Sequence, residues 1–324
     1  MDRRYNGDKI KNMVTIKKIE IKDYFGKGDF VWNLDPVVNI LGGKNGSGKS
    51  TVFKLCYTLL TNAKIEDVLN AKFKKVFKEA ILTFSNDWTL TWSSIKKTSF
   101  STLSLDGGKT AILKDVTEVK DENGVVRNFS ELHEMIRVYL INSFEQHVDQ
   151  AVLYGQQPKT IPLDDPTMLD LMIKDQIDLR NKDFAKSMED FMDASDEDEK
   201  ARNQYAKNYK MIYAVLNNFL QEYDKKIDSS FEFAKNGKQI SYEYLSMGEK
   251  QILLLLLMVS NTNRKPCVFF MDEPDLSMHI DWKEILIKEL NELNPNMQII
   301  LSTHAPSVIT GWHTKVKEVN QLIK

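Results

Sequence analysis

Cysteine is nearly absent from this chain: its only two, Cys56 and Cys267, sit inside apolar stretches. A small buried hydrophobe is expected at each, rather than a disulfide or a metal ligand, and a reducing compartment fits that use. Long hydrophobic runs are lacking too. The longest, from Ile252 to Val259, falls far short of the roughly 20 residues that cross a bilayer. The opening segment MDRRYNGDKIKN has no apolar centre of the kind a secretory leader needs. Nor does one sign of charge dominate: 44 Lys and Arg stand against 46 Asp and Glu, a formal net charge of -2. No global field draws the chain to nucleic acid or to an anionic membrane, so any such contact needs a local patch. Internal repeats, low-complexity tracts and flexible linkers are absent as well. The expectation is a cytoplasmic protein without membrane contact.

What is present is enough for a substantial core. With 324 residues, 42% hydrophobic and 28% charged, the chain suits one large domain with an insertion, or two small ones. MVTIKKIEIKDY alternates like a half-buried strand, FVWNL reads as a second, and VVNIL as a short buried strand running into glycines. From Lys78 to Lys120 strand-like pieces (AILTF, TLTW, FSTLSL, TAILKDV) are separated by SND and DGG turns, which implies an antiparallel accessory sheet within 65–135. MIRVYLINS is a buried strand again. The period then becomes helical across 166–226, with stripes at Met168, Leu169, Met172, Ile173 and Ile177 and at Tyr205, Tyr209, Ile212, Leu216 and Phe219. Two antiparallel helices, 167–194 and 196–224, are expected, with Ser195 and Asp198 forming a capping box between them. Beyond Ser241 come a turn, a buried helix, the strand VFFMDEP, an amphipathic helix from Trp282 to Leu293 and the strand QIILSTH. Strands alternating with helices imply a largely parallel sheet.

Four stretches carry chemistry. Gly43, Gly48, Lys49 and Ser50 in GGKNGSGKST match the glycine loop whose backbone amides curl round a phosphate at a helix start. Lys49 would reach the outer phosphates and the Ser50 hydroxyl would ligate magnesium. In CVFFMDEP two adjacent carboxylates, Asp272 and Glu273, end an interior strand. Beside a phosphate loop the first suits the magnesium shell and the second suits taking a proton from the attacking water. QIILSTHAP brings His304 to another strand tip, on the edge of a parallel sheet where ligands bind. In YLSMGEKQ, Ser246 and Glu249 form a capping box, and the same turn leaves helix amides facing outward as an anion site that a second molecule could use.

In this order the four stretches resemble the Walker A, signature, Walker B with D-loop, and H-loop motifs of ABC-type ATPases. The GEK form of the signature is more similar to the SMC, RecF and OLD-like branch than to transporters. The resemblance covers about the first 60 residues and the last 85, and the middle 180 match no motif. It implies an α/β P-loop NTPase, a single ABC-type head over 1–324 with an antiparallel β subdomain and a helical insertion. It implies ATP and Mg2+ as cofactors, bound through Gly43, Asn45, Gly46, Gly48, Lys49, Ser50 and Thr51, with Asp272 on the metal, Glu273 as base and His304 as the switch histidine. Ser246, Gly248 and Glu249 would complete the site of an opposite protomer. Gln146, in LINSFEQH, is the choice for the Q-loop glutamine on nucleotide and metal, with Gln150 behind it, and Tyr24 or Phe25 are candidates to stack on adenine, against core packing. LSMH at 276–279 stands where relatives often carry LHP, which leaves the local turn open.

Two departures refine the reading. SMC proteins place hundreds of coiled-coil residues between Walker A and signature, whereas this insert is short, so long-range DNA tethering is not expected. OLD proteins continue into a Toprim nuclease domain, and here about 20 residues follow His304, so nuclease activity would belong to another polypeptide. The resemblance therefore implies a homodimer or higher homo-oligomer that sandwiches ATP and controls a separately encoded effector, as ATPases of antiphage systems such as Septu or PARIS do. A RecF-like repair head is the alternative, with DNA as partner and Lys72, Lys74, Lys75 and Lys78 as its basic patch; a transporter coupling subunit is the third.

Overall fold

A computed structural model describes residues 14–62, 77–100, 109–141, 167–192, 199–220, 225–227, 231, 233–235 and 238–324. Strands run in chain order as β1 (Ile16–Lys22), β2 (Phe30–Asn33), β3 (Val38–Gly42), β4 (Glu79–Phe84), β5 (Thr89–Phe100), β6 (Lys109–Lys120), β7 (Val126–Arg127) and β8 (Val138–Ile141). They continue as β9 (Lys225–Ile227), β10 (Phe233–Lys235), β11 (Lys238–Ile240), β12 (Cys267–Asp272), β13 (Met297–Ser302) and β14 (Val316–Glu318). Two main sheets form. β14-β3-β13-β12-β8 are parallel throughout, and β2-β1-β4-β5-β6-β7 are antiparallel throughout. A parallel P-loop sheet beside an antiparallel one is the fold class the sequence implies.

The parallel strands are apolar on both faces, because both are covered. In β12, Val268 and Phe270 enter one core and Phe269 and Met271 the other; in β13, Ile300 faces Val268 and Phe270 while Ile299 and Leu301 lie with Phe269 and Met271. The first core holds the P-loop helix Lys49–Leu60 and the antiparallel sheet. The second holds the signature helix Met247–Ser260, the helix Ile280–Leu293 and the two insertion helices. Leu253, Leu254, Leu255, Leu256 and Leu257 are all fully buried, which explains a helix that is apolar on every side: it lies between the sheet and the helical layers. Each such leucine contributes about 1.5–3 kcal/mol of transfer free energy.

The sheets are stitched by one buried amide. Gln298 accepts from the Ile16 N–H at 2.9 Å and donates to the carbonyls of Ile16 and Asp35, each at 2.9 Å. A fully satisfied amide of this kind fixes the start of β1 against β13.

Differences from the sequence reading have local causes. TLTW does not stop at a turn, since β5 continues through Phe100 and pairs with β6 from Thr89↔Lys120 to Phe100↔Lys109 as a long hairpin. Only Phe100 of FSTLSL lies among the described residues. A helix at Phe129–Met135, capped by Asn128 and Glu131, precedes β8, so that MIRVYLINS is strand only from Val138. The insertion helices span Met168–Met192 and Glu199–Leu220, and the Ser195 and Asp198 cap lies outside the described residues. Both cysteines are buried thiols.

Candidate nucleotide site

Register alone assembles the site. β12 pairs β13 with Asp272 beside Ser302, and β13 pairs β3 with Ser302 beside Leu41, so three strands end together at the carboxyl edge of the sheet. Ligands of open α/β sheets bind there. β3 leaves that edge through a glycine loop into the helix Lys49–Leu60. Gly48, the N-cap of that helix, has φ +98, and a Cβ there would lie 2.1 Å from the Tyr24 hydroxyl. Only glycine lets the β1–β2 loop close so tightly on the phosphate loop. Tyr24 donates to the Ser47 carbonyl at 3.0 Å and is 1% exposed, which makes it a buried brace of the loop, and burial raises its hydroxyl pKa. Phe25 has its ring edge over Gly48 and is partly exposed.

Lys49 is 5% exposed, and its Nζ donates to the Gly43 carbonyl at 2.9 Å and meets His304 Nε2 at 2.8 Å. The same Nε2 lies 3.2 Å from Glu273 Oε1. One ring nitrogen can accept from Lys49 or donate to Glu273, and the tautomer decides which. Glu273 takes φ +49, a left-handed backbone that bulky residues adopt only when held. Ser302 supplies the hold: its carbonyl and its Oγ each accept from the Glu273 N–H at 3.1 Å, and its hydroxyl donates to Asp272 Oδ1 at 2.6 Å. Ser302 thus orients the Asp272 carboxylate directly and fixes the backbone from which Glu273 projects. Sequence reading gave it no role, although a hydroxyl at the tip of the otherwise apolar run Ile299–Leu301 was the available signal.

The residues fit a nucleotide. A buried ammonium whose contacts among the described residues are two carbonyls, of Gly43 and Lys44, and an imidazole lacks an anion, which a phosphate would supply. Among the described residues no three His, Cys, Asp or Glu side chains gather as a metal cage. A magnesium ion held through Ser50 and Asp272 would take its other oxygens from phosphate and water, the usual habit of that ion. Asn45 and Gly46 are exposed on the loop, and Ser50 and Thr51 are half-buried in the first helical turn.

Ser246, Gly248 and Glu249 form a separate cluster. Ser246 Oγ accepts from the Glu249 N–H at 3.4 Å, and the Glu249 carboxylate accepts from the Ser246 N–H at 2.7 Å. Gly248 packs on the loop after β12, where a Cβ would lie 2.4 Å from the Ser277 carbonyl. Lys250 Nζ pairs with Asp170 at 2.6 Å, both side chains buried, and so ties the signature turn to the first insertion helix. Tyr244, Met247, Leu276 and Ile280 are exposed around this turn. Gln146 and Gln150 lie outside the described residues, as do Lys72, Lys74 and Lys75; Lys78 is paired with Asp23 at 2.7 Å.

Residues 152–310 match the family described as "AAA domain, putative AbiEii toxin, Type IV TA system". The chain is 24% identical to the Retron Vc95 probable ATPase of Vibrio cholerae serotype O1 biovar El Tor, over 95% of this chain and 74% of that one. It is 30% identical to the Retron Ec83 probable ATPase of Escherichia coli over 34% of this chain and 24% of that protein. Among solved structures, an Smc head bound to the C-terminal winged-helix domain of ScpA superposes with TM-score 0.53 at 16% identity, covering 91% of each chain. The Smc head with an extended coiled coil, bound to ScpA derived from Pyrococcus furiosus, gives 0.50 at 13% identity over 92% of each.

Proposed function

From a chain with the fold of an SMC-like, ABC-type ATPase head, related in sequence to probable ATPases of retrons, we propose a Mg-ATP-dependent switch. It binds ATP at the Lys49 loop and hydrolyses it, and ATP draws two copies together head to tail. The single observation that carries this reading is the buried Lys49 ammonium, with His304 and then Glu273 in line behind it at the sheet edge. Lys49 holds the outer phosphates, and Ser50 and Asp272 hold the metal. Bound magnesium would neutralise charge on the phosphates. Glu273 takes the proton of the water whose oxygen attacks the terminal phosphorus, while the bond to the ADP oxygen breaks. His304 keeps Glu273 and Lys49 in one network and can pass to either hydrogen-bonding role as its tautomer changes.

The exposed turn at Ser246, with Tyr244, Met247, Leu276 and Ile280 around it, supports the second half of the reading. An apolar rim beside a helix N-terminus suits a surface that closes on the nucleotide of a second copy. By the motif resemblance to ATPases of antiphage systems, ATP occupancy would set the state of a separately encoded effector such as a nuclease in bacterial antiphage defence. No described helix is long and apolar enough to cross a membrane.

ATP turnover of the parent, Lys49→Ala and Glu273→Gln tests the chemistry. Removing a general base should lower turnover by about 10²–10⁴-fold. Parent-level turnover in Glu273→Gln would remove that residue from the mechanism.

A further inference from the structure

On the opposite edge of the parallel sheet, where strands begin rather than end, lies a cleft of about 110 Å³ between the insertion helices and the core. The insertion contributes Arg180, Asp183 and Tyr209 to its walls, and the core contributes Arg137 before β8, Asn261 at the end of the signature helix and Lys265 before β12. Arg180 is 3% exposed, yet every partner of its guanidinium is neutral. It donates to Ser260 Oγ at 2.8 Å and to the Tyr209 carbonyl, and lies 3.8 Å from the centre of the Tyr209 ring. No carboxylate lies within ion-pair distance of it among the described residues. A buried charge ordinarily has a counter-charge.

The surroundings do not supply one. Arg137 and Lys265 are exposed on the rim and form no ion pair among the described residues. The one carboxylate on the wall, Asp183, already accepts from the Asn263 amide. Three cations against one anion leave the lining at a net charge of +2. A carboxylate would offset half of that; a phosphate dianion offsets all of it. Size narrows the ligand further. Sites for whole small molecules occupy about 300–1,000 Å³, well above the 110 Å³ of this cleft. A small tetrahedral anion suits it better than a whole metabolite.

We propose that this cleft binds a single phosphate group, free or at the end of a larger molecule. Because its walls come from both the insertion and the core, a bound phosphate would clamp the helical hairpin to the far end of the helix that begins at Ser246. The site is independent of the nucleotide site at the other sheet edge, and its existence does not depend on ATP hydrolysis.

The test is calorimetric titration of the full chain with inorganic phosphate at constant ionic strength, beside an Arg137→Ser/Lys265→Ser variant. Both residues are exposed, so the variant should fold, and any phosphate bound by the Lys49 loop is common to both proteins. Loss of two facing charges should weaken the phosphate affinity by at least about tenfold. Hydrogen exchange in 168–192 and 199–220 should slow with phosphate in the parent only. AMP distinguishes the sources: equal competition indicates a phosphate-ester end, and preference for the inorganic ion indicates free phosphate. Identical titrations and identical exchange in parent and variant would overturn the site. So would an equal response to acetate, which would reduce the effect to charge screening.

Discussion

Replacing Gly248 by alanine adds one methyl group where the signature helix touches the loop after β12. The new Cβ would lie 2.4 Å from the Ser277 carbonyl oxygen and 3.3 Å from its carbon. Ordinary contact begins near 3.4 Å, so helix and loop must separate by about 1 Å. The obstacle is backbone, so no rotamer change relieves it, and trimming the Ser277 side chain gives no rescue. Overpacking of this size costs about 1–3 kcal/mol. For a chain of 324 residues that corresponds to a fall of a few degrees in Tm, about 1.5 °C per kcal/mol from an unfolding entropy of about 2.1 cal/mol/K per residue. Gly46→Ala is the control: φ is +75 but no atom lies within 4 Å, so only left-handed strain of about 1–2 kcal/mol applies. The separation also displaces Ser246 and Met247, so ATP-dependent association measured by sedimentation should weaken in Gly248→Ala more than Tm alone explains. A Gly248→Ala protein with parent Tm and parent association would refute the close packing of signature turn on loop.

Other residues carry comparable expectations. Asp170→Asn leaves the Lys250 ammonium buried without its counter-charge, at a cost of about 2–4 kcal/mol in denaturant unfolding. Burial raises the Asp170 carboxyl pKa, but hydrogen bonds from Lys250 and Thr167 outweigh it and hold the group below the ordinary range. A depressed folded pKa stabilises above the unfolded value of about 3.9. The difference between parent and Asp170→Asn should therefore be full at neutral pH and shrink as pH falls below about 4. Gln298→Leu strands the N–H and C=O of Ile16 and the Asp35 carbonyl, and about 2–4 kcal/mol of stability should be lost. Tyr24→Phe removes the donor to Ser47 and should cost about 1 kcal/mol, with weaker nucleotide binding in equilibrium dialysis; unchanged binding would confine Tyr24 to packing.

The sheet strands were legible because burial on two faces leaves an unmistakable pattern: VFFMD has no polar residue until its tip, and QIILS none between Gln298 and Ser302. The glycine loop was legible because its backbone geometry admits few other residues. Less visible was what depends on distant partners. TLTW reads as a short strand because the polar SSIKKTS after it breaks the apolar pattern, yet pairing with β6 carries β5 through it. Ser302 looked like the end of a strand, and only register beside Asp272 gives it a carboxylate and the Glu273 N–H to hold. Core packing was the preferred reading of Tyr24 over an adenine contact, but its role as a brace was hidden, since its partner, the Ser47 carbonyl, comes from a segment 23 residues on. No pattern in the sequence singles out Arg180, because its burial under Tyr209 depends on how two helices meet.

The central claim, that ATP bound at Lys49 joins two heads through the Ser246 turn, is tested most directly by the solution mass of Glu273→Gln, measured by light scattering with and without Mg-ATP. A mass that doubles only with Mg-ATP, and stays monomeric when Ser246→Arg is added, is the expected result. A mass that ignores ATP, or a doubling that survives Ser246→Arg, would contradict the claim.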